Sequence, residues 1–260
     1  MRETAELPSV KTQMATEYIF RHLGNCDFAW WIKGLFPRKS ESPGKHRFRR
    51  HPRAGLFGRA KETKRGPRHH LILVVDVEGF GERRRTRPDQ EAVRAGLYKI
   101  METAIAASGT AWGACYQEDR GDGMLVLVPG EVDKAAFVEA VLPKLVTQLR
   151  VHNDQHPETQ QIRLRIALHA GEVGYDAYGV TSSSLTKTFR LCDASPLKDA
   201  LAASPGVLAV IASDGLFDEV VRHIPGVAPA TWRPVKVEVK EIDEPAWITL
   251  PDHPYLDRSE

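Results

Sequence analysis

The chain has 260 residues, of which 42% are hydrophobic and 27% charged, a globular balance that excludes fibrous and low-complexity classes. No stretch approaches the roughly 20 apolar residues of a membrane span. The three cysteines, Cys26, Cys115 and Cys192, are odd in number and far apart, which argues against a disulfide framework or a zinc knuckle. The net charge of +2 hides an asymmetry: residues 1–70 carry 16 Lys and Arg against 6 Asp and Glu, net +10, and the remainder carries net −8.

In chain order, residues 1–69 read as a basic arm. From Phe36 to Pro67 it is rich in Arg, Lys, Pro and Gly and has no apolar period. Such a segment buries too little surface to offset chain entropy, which predicts disorder. Its charge suits nucleic acid or an anionic surface, but a solvated tail is the preferred reading. Ahead of it, Phe28–Phe36 (FAWWIKGLF) is a short aromatic stretch with the character of a docking segment, and Met14 offers an alternative start. The N-terminus lacks the plan of a signal peptide. With the cysteine usage, this predicts a cytoplasmic protein.

Ordered structure is expected over residues 70–252, with a short tail at 253–260. Leu71–Val77 is an apolar run that reads as a fully buried strand. Pro88 suits a helix first turn, and Val93, Leu97, Ile100, Met101, Ala104 and Ile105 follow at helical spacing up to Gly109. Ala111–Gln117 and Met124–Val128 read as strands joined by the turn sequence EDRGDG. A helix is expected over Asp133–Arg150, with Pro143 as a point of kinking. Ile162–His169 alternates as a strand, and AGEV breaks and continues it. Leu185–Ala202 reads as a helix interrupted at Pro196, followed by a strand at Val207–Ile211 and a short helix at Asp214–Arg222. A strand pair, Val235–Val239 and Ala246–Leu250, closes the chain. The order predicts an α+β fold: a ferredoxin-like βαββαβ core sheet, then αβα and a terminal strand pair.

In that topology Asp76, at the end of the first strand, and Asp122, in the second hairpin, lie on neighbouring strands. Paired carboxylates repel unless a cation sits between them, and a divalent cation with oxygen ligands answers that need. Magnesium commonly binds through one or two carboxylates plus substrate phosphates, which points to nucleotide chemistry. Gly79 and Gly81 would let backbone N–H groups approach a phosphate chain. Each Asp alone reads first as a turn or capping group, and it is the pair in this topology that favours a metal.

Four motifs occur in order: VVDVEGFG, EDRGDGMLVLVP, RIALHAGEV and KTFRLCD. Together they resemble the catalytic domain of class III nucleotidyl cyclases, of adenylate and guanylate type, in a divergent bacterial member. The resemblance covers about residues 70–250. It implies two divalent cations, Mg²⁺ or Mn²⁺, held by Asp76, Asp122 and the backbone carbonyl of Val77. It implies triphosphate contacts from the amides of Phe80 and Gly81 and from Lys240, and transition-state stabilisation by Arg190. It also implies a nucleoside triphosphate substrate and an active site shared between two chains, hence a homodimer or a heterodimer with a related chain.

The chain departs from the pattern at several points. Thr186 stands where the family carries a ribose-orienting Asn, so a hydroxyl replaces a two-ended amide. Tyr116 stands where purine cyclases carry a base-reading Lys, and resembles the residue of pyrimidine-nucleotide cyclases. Asp176 is the base-reading candidate in DAYG, about three residues further from Thr186 than usual, and Glu241 follows Lys240 where the family has Gly. These departures keep a second reading open, a cyclase-like regulatory module that binds a nucleotide or a partner without turnover. A nucleic-acid-binding adaptor working through the basic arm is a third. Glu78 reads as a solvated acid rather than a third ligand, His169 as a packed, hydrogen-bonded histidine, and Arg83–Arg85 as an exposed run.

Overall fold

The protein is described by a computed structural model that places residues 66–255. Most of the basic arm, with Phe28–Phe36, Met14 and Cys26, lies outside the described residues, as does the tail after 255. The described elements are β1 (Arg68–Val77), α1 (Arg87–Ala106), β2 (Tyr116–Asp119), β3 (Gly123–Pro129), α2 (Lys134–Gln155), β4 (Leu164–Asp176), β5 (Gly179–Thr181), α3 (Ser183–Asp193), α4 (Ser195–Ala203), β6 (Leu208–Ser213), α5 (Asp214–Glu219), β7 (Arg233–Val239) and β8 (Ile242–Thr249).

The strands form one sheet in the order β2-β3-β1-β4-β6-β8-β7, with β5 paired to β4. The pairings are antiparallel except for β4 with β6. The first four strands thus take the expected ferredoxin-like arrangement, with β1 between β3 and β4. This position explains the unbroken apolar run of β1. Leu71, Leu73 and Val75 pack on one face with α1 and α2, and Ile72 and Val74 pack on the other with α3 and α4. A strand covered on both faces shows no alternation.

The elements differ from expectation where pairing or proline chemistry decides. Residues 111–117 are not one strand. Trp112–Ala114 forms a 3₁₀ turn, and Gln117 Nε2 donates back to the carbonyls of Trp112 and Cys115. Pairing starts only at Tyr116, opposite Leu127. β4 runs on to Asp176 because β1 pairs with it as far as Val173 and β5 then takes over at Gly174. The 185–202 helix is two helices. Ala194 is extended between them, and Pro196, lacking an N–H, opens the second. Pro143 lies inside α2, which continues past it to Gln155. The 214–222 segment is α5 followed by a 3₁₀ turn, Val221–His223.

Candidate active site

β1 ends beside the β2–β3 hairpin. Asp76 pairs with Gly123, and the Val77 N–H donates to the Asp122 carbonyl at 2.9 Å. The approach is so close that a Cβ on Gly123 would overlap the Val75 carbonyl and lie 3.0 Å from Asp76 Cα. Only glycine fits there, and the fit brings the Asp76 and Asp122 backbones together. Gly79, at φ 65°, turns the chain after the strand.

Asp76 is half-buried and paired with Arg165, which faces it across β1 and β4. Arg165 Nε donates at 2.7 Å to Asp76 Oδ2, and Nη2 donates to the same oxygen. Oδ1 accepts no hydrogen bond among the described residues. The Asp76 carboxyl nevertheless sits above its ordinary pKa. Burial is the largest cause; Arg165 opposes it, and the nearby Asp122 charge adds to it. A half-buried carboxylate with one oxygen free and a second, exposed carboxylate beside it is a donor set that fits a hard divalent cation. No cluster of three or more His, Cys, Asp or Glu side chains suited to a metal occurs among the described residues. The fit therefore rests on two carboxylates and a backbone carbonyl. That carbonyl, Val77 O, accepts a long 3.3 Å bond from the Phe80 N–H. Phe80 itself packs against the core, and its own carbonyl accepts from Gln90 Nε2 at 3.3 Å. Gly81 is exposed, and its N–H donates to no protein group among the described residues.

The remaining candidates lie on β2, in the β4–β5 hairpin, on α3 and in the β7–β8 turn. Tyr116 meets Tyr175 edge to face at 6.2 Å, and its hydroxyl donates at 3.0 Å to Glu118. Asp176 is exposed and accepts from the Tyr178 N–H at 2.7 Å, so its carboxylate closes the hairpin turn. Thr186 lines an open cleft of about 190 Å³ with Glu118, Arg120, Ser182 and Phe189. Arg190 Nε donates at 3.2 Å to Glu241. Lys240 is exposed in the β7–β8 turn at φ 52°. The positive φ falls one residue before the position where the family has glycine. Among the described residues, no hydrogen bond or ion pair links Asp76, Val77, Phe80, Gly81 or Asp122 to this second group.

Two sequence readings need correction. Glu78 is not a solvated acid: it pairs with Arg163 Nη1 at 2.6 Å. Arg163 also holds the carbonyls of Leu201, Ser204 and Gly206, so the pair ties the end of β1 to the end of α4. Arg85 is not part of an exposed run: it is 6% exposed, and its Nη2 donates to the Gln161 carbonyl at 2.9 Å. Arg85 Nε and Nη1 are buried without a partner, and nothing in the structure explains them. Glu118 and Arg120 were not singled out, yet both line the cleft. Their spacing from Tyr116 held the signal, because alternate residues of a strand share a face. Arg165 was likewise missed; its only signal is a register that local sequence does not carry. His169 is hydrogen-bonded as expected, through Nδ1 to Ser213 Oγ at 2.8 Å, and burial lowers its pKa to about 4.

Neither a protein-family sequence model nor the sequence of any curated protein matches the chain. Solved structures do match its fold. Two structures of a bacterial light-regulated adenylyl cyclase align with TM-scores of 0.51 and 0.50 at 12% and 11% identity. They cover 75% and 73% of this chain and 55% and 93% of theirs. An adenylate/guanylate cyclase/hydrolase from Silicibacter pomeroyi aligns over 71% of this chain and 97% of its own, at 18% identity and a TM-score of 0.49. The chain therefore shares its fold with the light-regulated adenylyl cyclase structures. No described helix is long and apolar enough to cross a membrane.

Proposed function

We propose that the protein is a metal-dependent nucleotidyl cyclase, converting a nucleoside triphosphate to a 3′,5′-cyclic nucleotide and pyrophosphate. The observation that carries this reading is the pairing of Asp76 with Gly123, which sets two acidic residues side by side at the end of a buried strand. Asp76, Asp122 and the Val77 carbonyl would hold Mg²⁺ or Mn²⁺. When bound, the ions would polarise the ribose 3′-hydroxyl and neutralise the triphosphate. In the reaction the 3′-oxygen would bond to the α-phosphorus, the bond from that phosphorus to the bridging oxygen would break so that the oxygen leaves with pyrophosphate, and the hydroxyl proton would pass to solvent. The Gly81 N–H, which has no protein partner among the described residues, would bind the triphosphate. Arg190 would leave Glu241 to stabilise charge on the transferring phosphoryl group.

We place the site between two copies of the chain, as the family resemblance implies. One chain would supply Asp76, Val77, Phe80, Gly81 and Asp122. The other would supply Tyr116, Asp176, Thr186, Arg190 and Lys240. In the cleft, the Glu118 carboxylate is an acceptor beside Thr186, suited to a base edge rich in N–H donors.

The Arg190–Glu241 pair favours a second reading, a module that binds nucleotide without turning it over. Incubation with all four ribonucleoside triphosphates and Mn²⁺, read by mass spectrometry, separates the two. A cyclic product that disappears in Asp76→Asn and Asp122→Asn supports the cyclase. Calorimetric binding without conversion supports the module. Absence of both defeats the nucleotide reading.

A further inference from the structure

The β2–β3 hairpin tip, which carries Asp122, is held from helix α1. Arg94 Nη1 donates at 3.0 Å to Asp119 Oδ1 and also to the Gly121 carbonyl, and Arg94 Nη2 donates to Asp119 Oδ2. One turn further along α1, the Tyr98 hydroxyl donates at 2.8 Å to the same Oδ2. Asp119 Oδ1 accepts the Gly121 N–H at 2.7 Å, and the Arg120 N–H donates to the Gly123 carbonyl at 3.0 Å. Both the N–H and the carbonyl of Gly121 are therefore held, and Asp122 is the next residue. On its other side, Asp122 is joined to β1 through the Val77 N–H. The helix is a firm base for this grip, because Val93, Leu97, Ile100 and Met101 are buried in the core.

We propose that Arg94, Tyr98 and Asp119 form a clamp that positions the hairpin tip, and with it Asp122, against Asp76. These are positioning residues: none is offered as a metal ligand, and they act through the backbone of Gly121. The inference rests on the cyclase reading, in which Asp122 holds a divalent cation. The bidentate Arg94–Asp119 pair keeps the Asp119 carboxyl charged, with its pKa lowered to about 2. Its charge state is thus constant across working pH. The pair is partly exposed, with 35% and 42% of the two side chains accessible. Exposed pairs add little to folding stability. Removing this one should disturb the placement of Asp122 much more than the fold.

The test is Mn²⁺ titration of the full chain without nucleotide, read by electron paramagnetic resonance, alongside thermal melting. Arg94→Met should weaken Mn²⁺ binding about tenfold, the scale of losses when residues supporting a metal ligand are removed. It should also raise half-saturating Mn²⁺ for turnover while the nucleotide KM stays near wild type. Asp119→Asn keeps an acceptor for the Gly121 N–H but loses the charge pair, so it should lie between wild type and Arg94→Met. Asp119→Ala removes both and should be the weakest binder. If Arg94→Met fails to fold, Asp119→Asn carries the comparison. Wild-type affinity in folded Arg94→Met or Asp119→Asn overturns the clamp and leaves the cyclase reading in place. A wild-type chain that binds no Mn²⁺ without nucleotide overturns the role given to the clamp, and the cyclase reading is then decided separately by turnover of the four triphosphates.

Discussion

Gly123→Ala probes the contact on which the candidate site depends. The new Cβ would overlap the Val75 carbonyl oxygen and lie 2.9 Å from the Val75 carbonyl carbon and 3.0 Å from Asp76 Cα. All three atoms are backbone in the central strand, so no side chain can turn aside and β3 must move off β1. Overpacking of this kind costs about 1–3 kcal/mol. Loss of the Val77–Asp122 backbone bond adds about 1 kcal/mol. The sum is roughly 2–4 kcal/mol, a drop of about 4–16 °C in melting temperature for a domain of this size. Gly121→Ala is the control: Gly121 has φ 87°, but a Cβ there meets nothing within 4 Å. Its cost is backbone strain alone, about 1–2 kcal/mol. Melting followed by circular dichroism compares the two, and Mn²⁺ titration follows the site. Gly123→Ala should melt lower than Gly121→Ala and bind Mn²⁺ more weakly than wild type. The reasoning is refuted if Gly123→Ala melts as high as Gly121→Ala.

Two further outcomes follow from the ion pairs and buried histidines. His169 is held neutral by burial, with its pKa near 4, and burial also lowers His70 and His152. An unfolded histidine binds its proton near pH 6.5, so between pH 4 and 6.5 the unfolded chain takes up more protons and stability falls as pH falls. His169 contributes roughly 2 kcal/mol of that loss once its partial exposure is discounted. His169→Gln should flatten the fall in urea denaturation run from pH 7 to 4.5, and an unchanged slope would count against the assignment. Glu78→Gln should lower stability by about 1 kcal/mol, through the weakened Arg163 pair, and leave Mn²⁺ affinity unchanged. A clear loss of Mn²⁺ binding would make Glu78 a ligand after all.

Much of the fold is legible in the residues. The buried period of α1, the unbroken apolar run of β1 and the turn before Gly123 each carry a local signal, and their order along the chain is the one the ferredoxin-like topology requires. Positions 111–117 misled because strand propensity and an apolar run do not reveal where a pairing partner begins; Leu127 decides that. Pro196 was informative in kind but not in consequence, since a proline that interrupts a helix can equally open the next one.

The sequence by itself determined the candidate carboxylates. Asp76 closes a run too apolar to lie anywhere but the core, and Asp122 sits in a turn whose residues dictate a hairpin. Only tertiary structure decided what surrounds them. Arg165 faces Asp76 because β4 lies beside β1 in one particular register. Glu78 meets Arg163, 85 residues away, and Arg94 reaches Asp119 and Gly121 from a helix. Turns and periodicity act over a few residues and so can be read locally. Ion pairs across strands depend on register and helix placement, which the packing of the whole core sets.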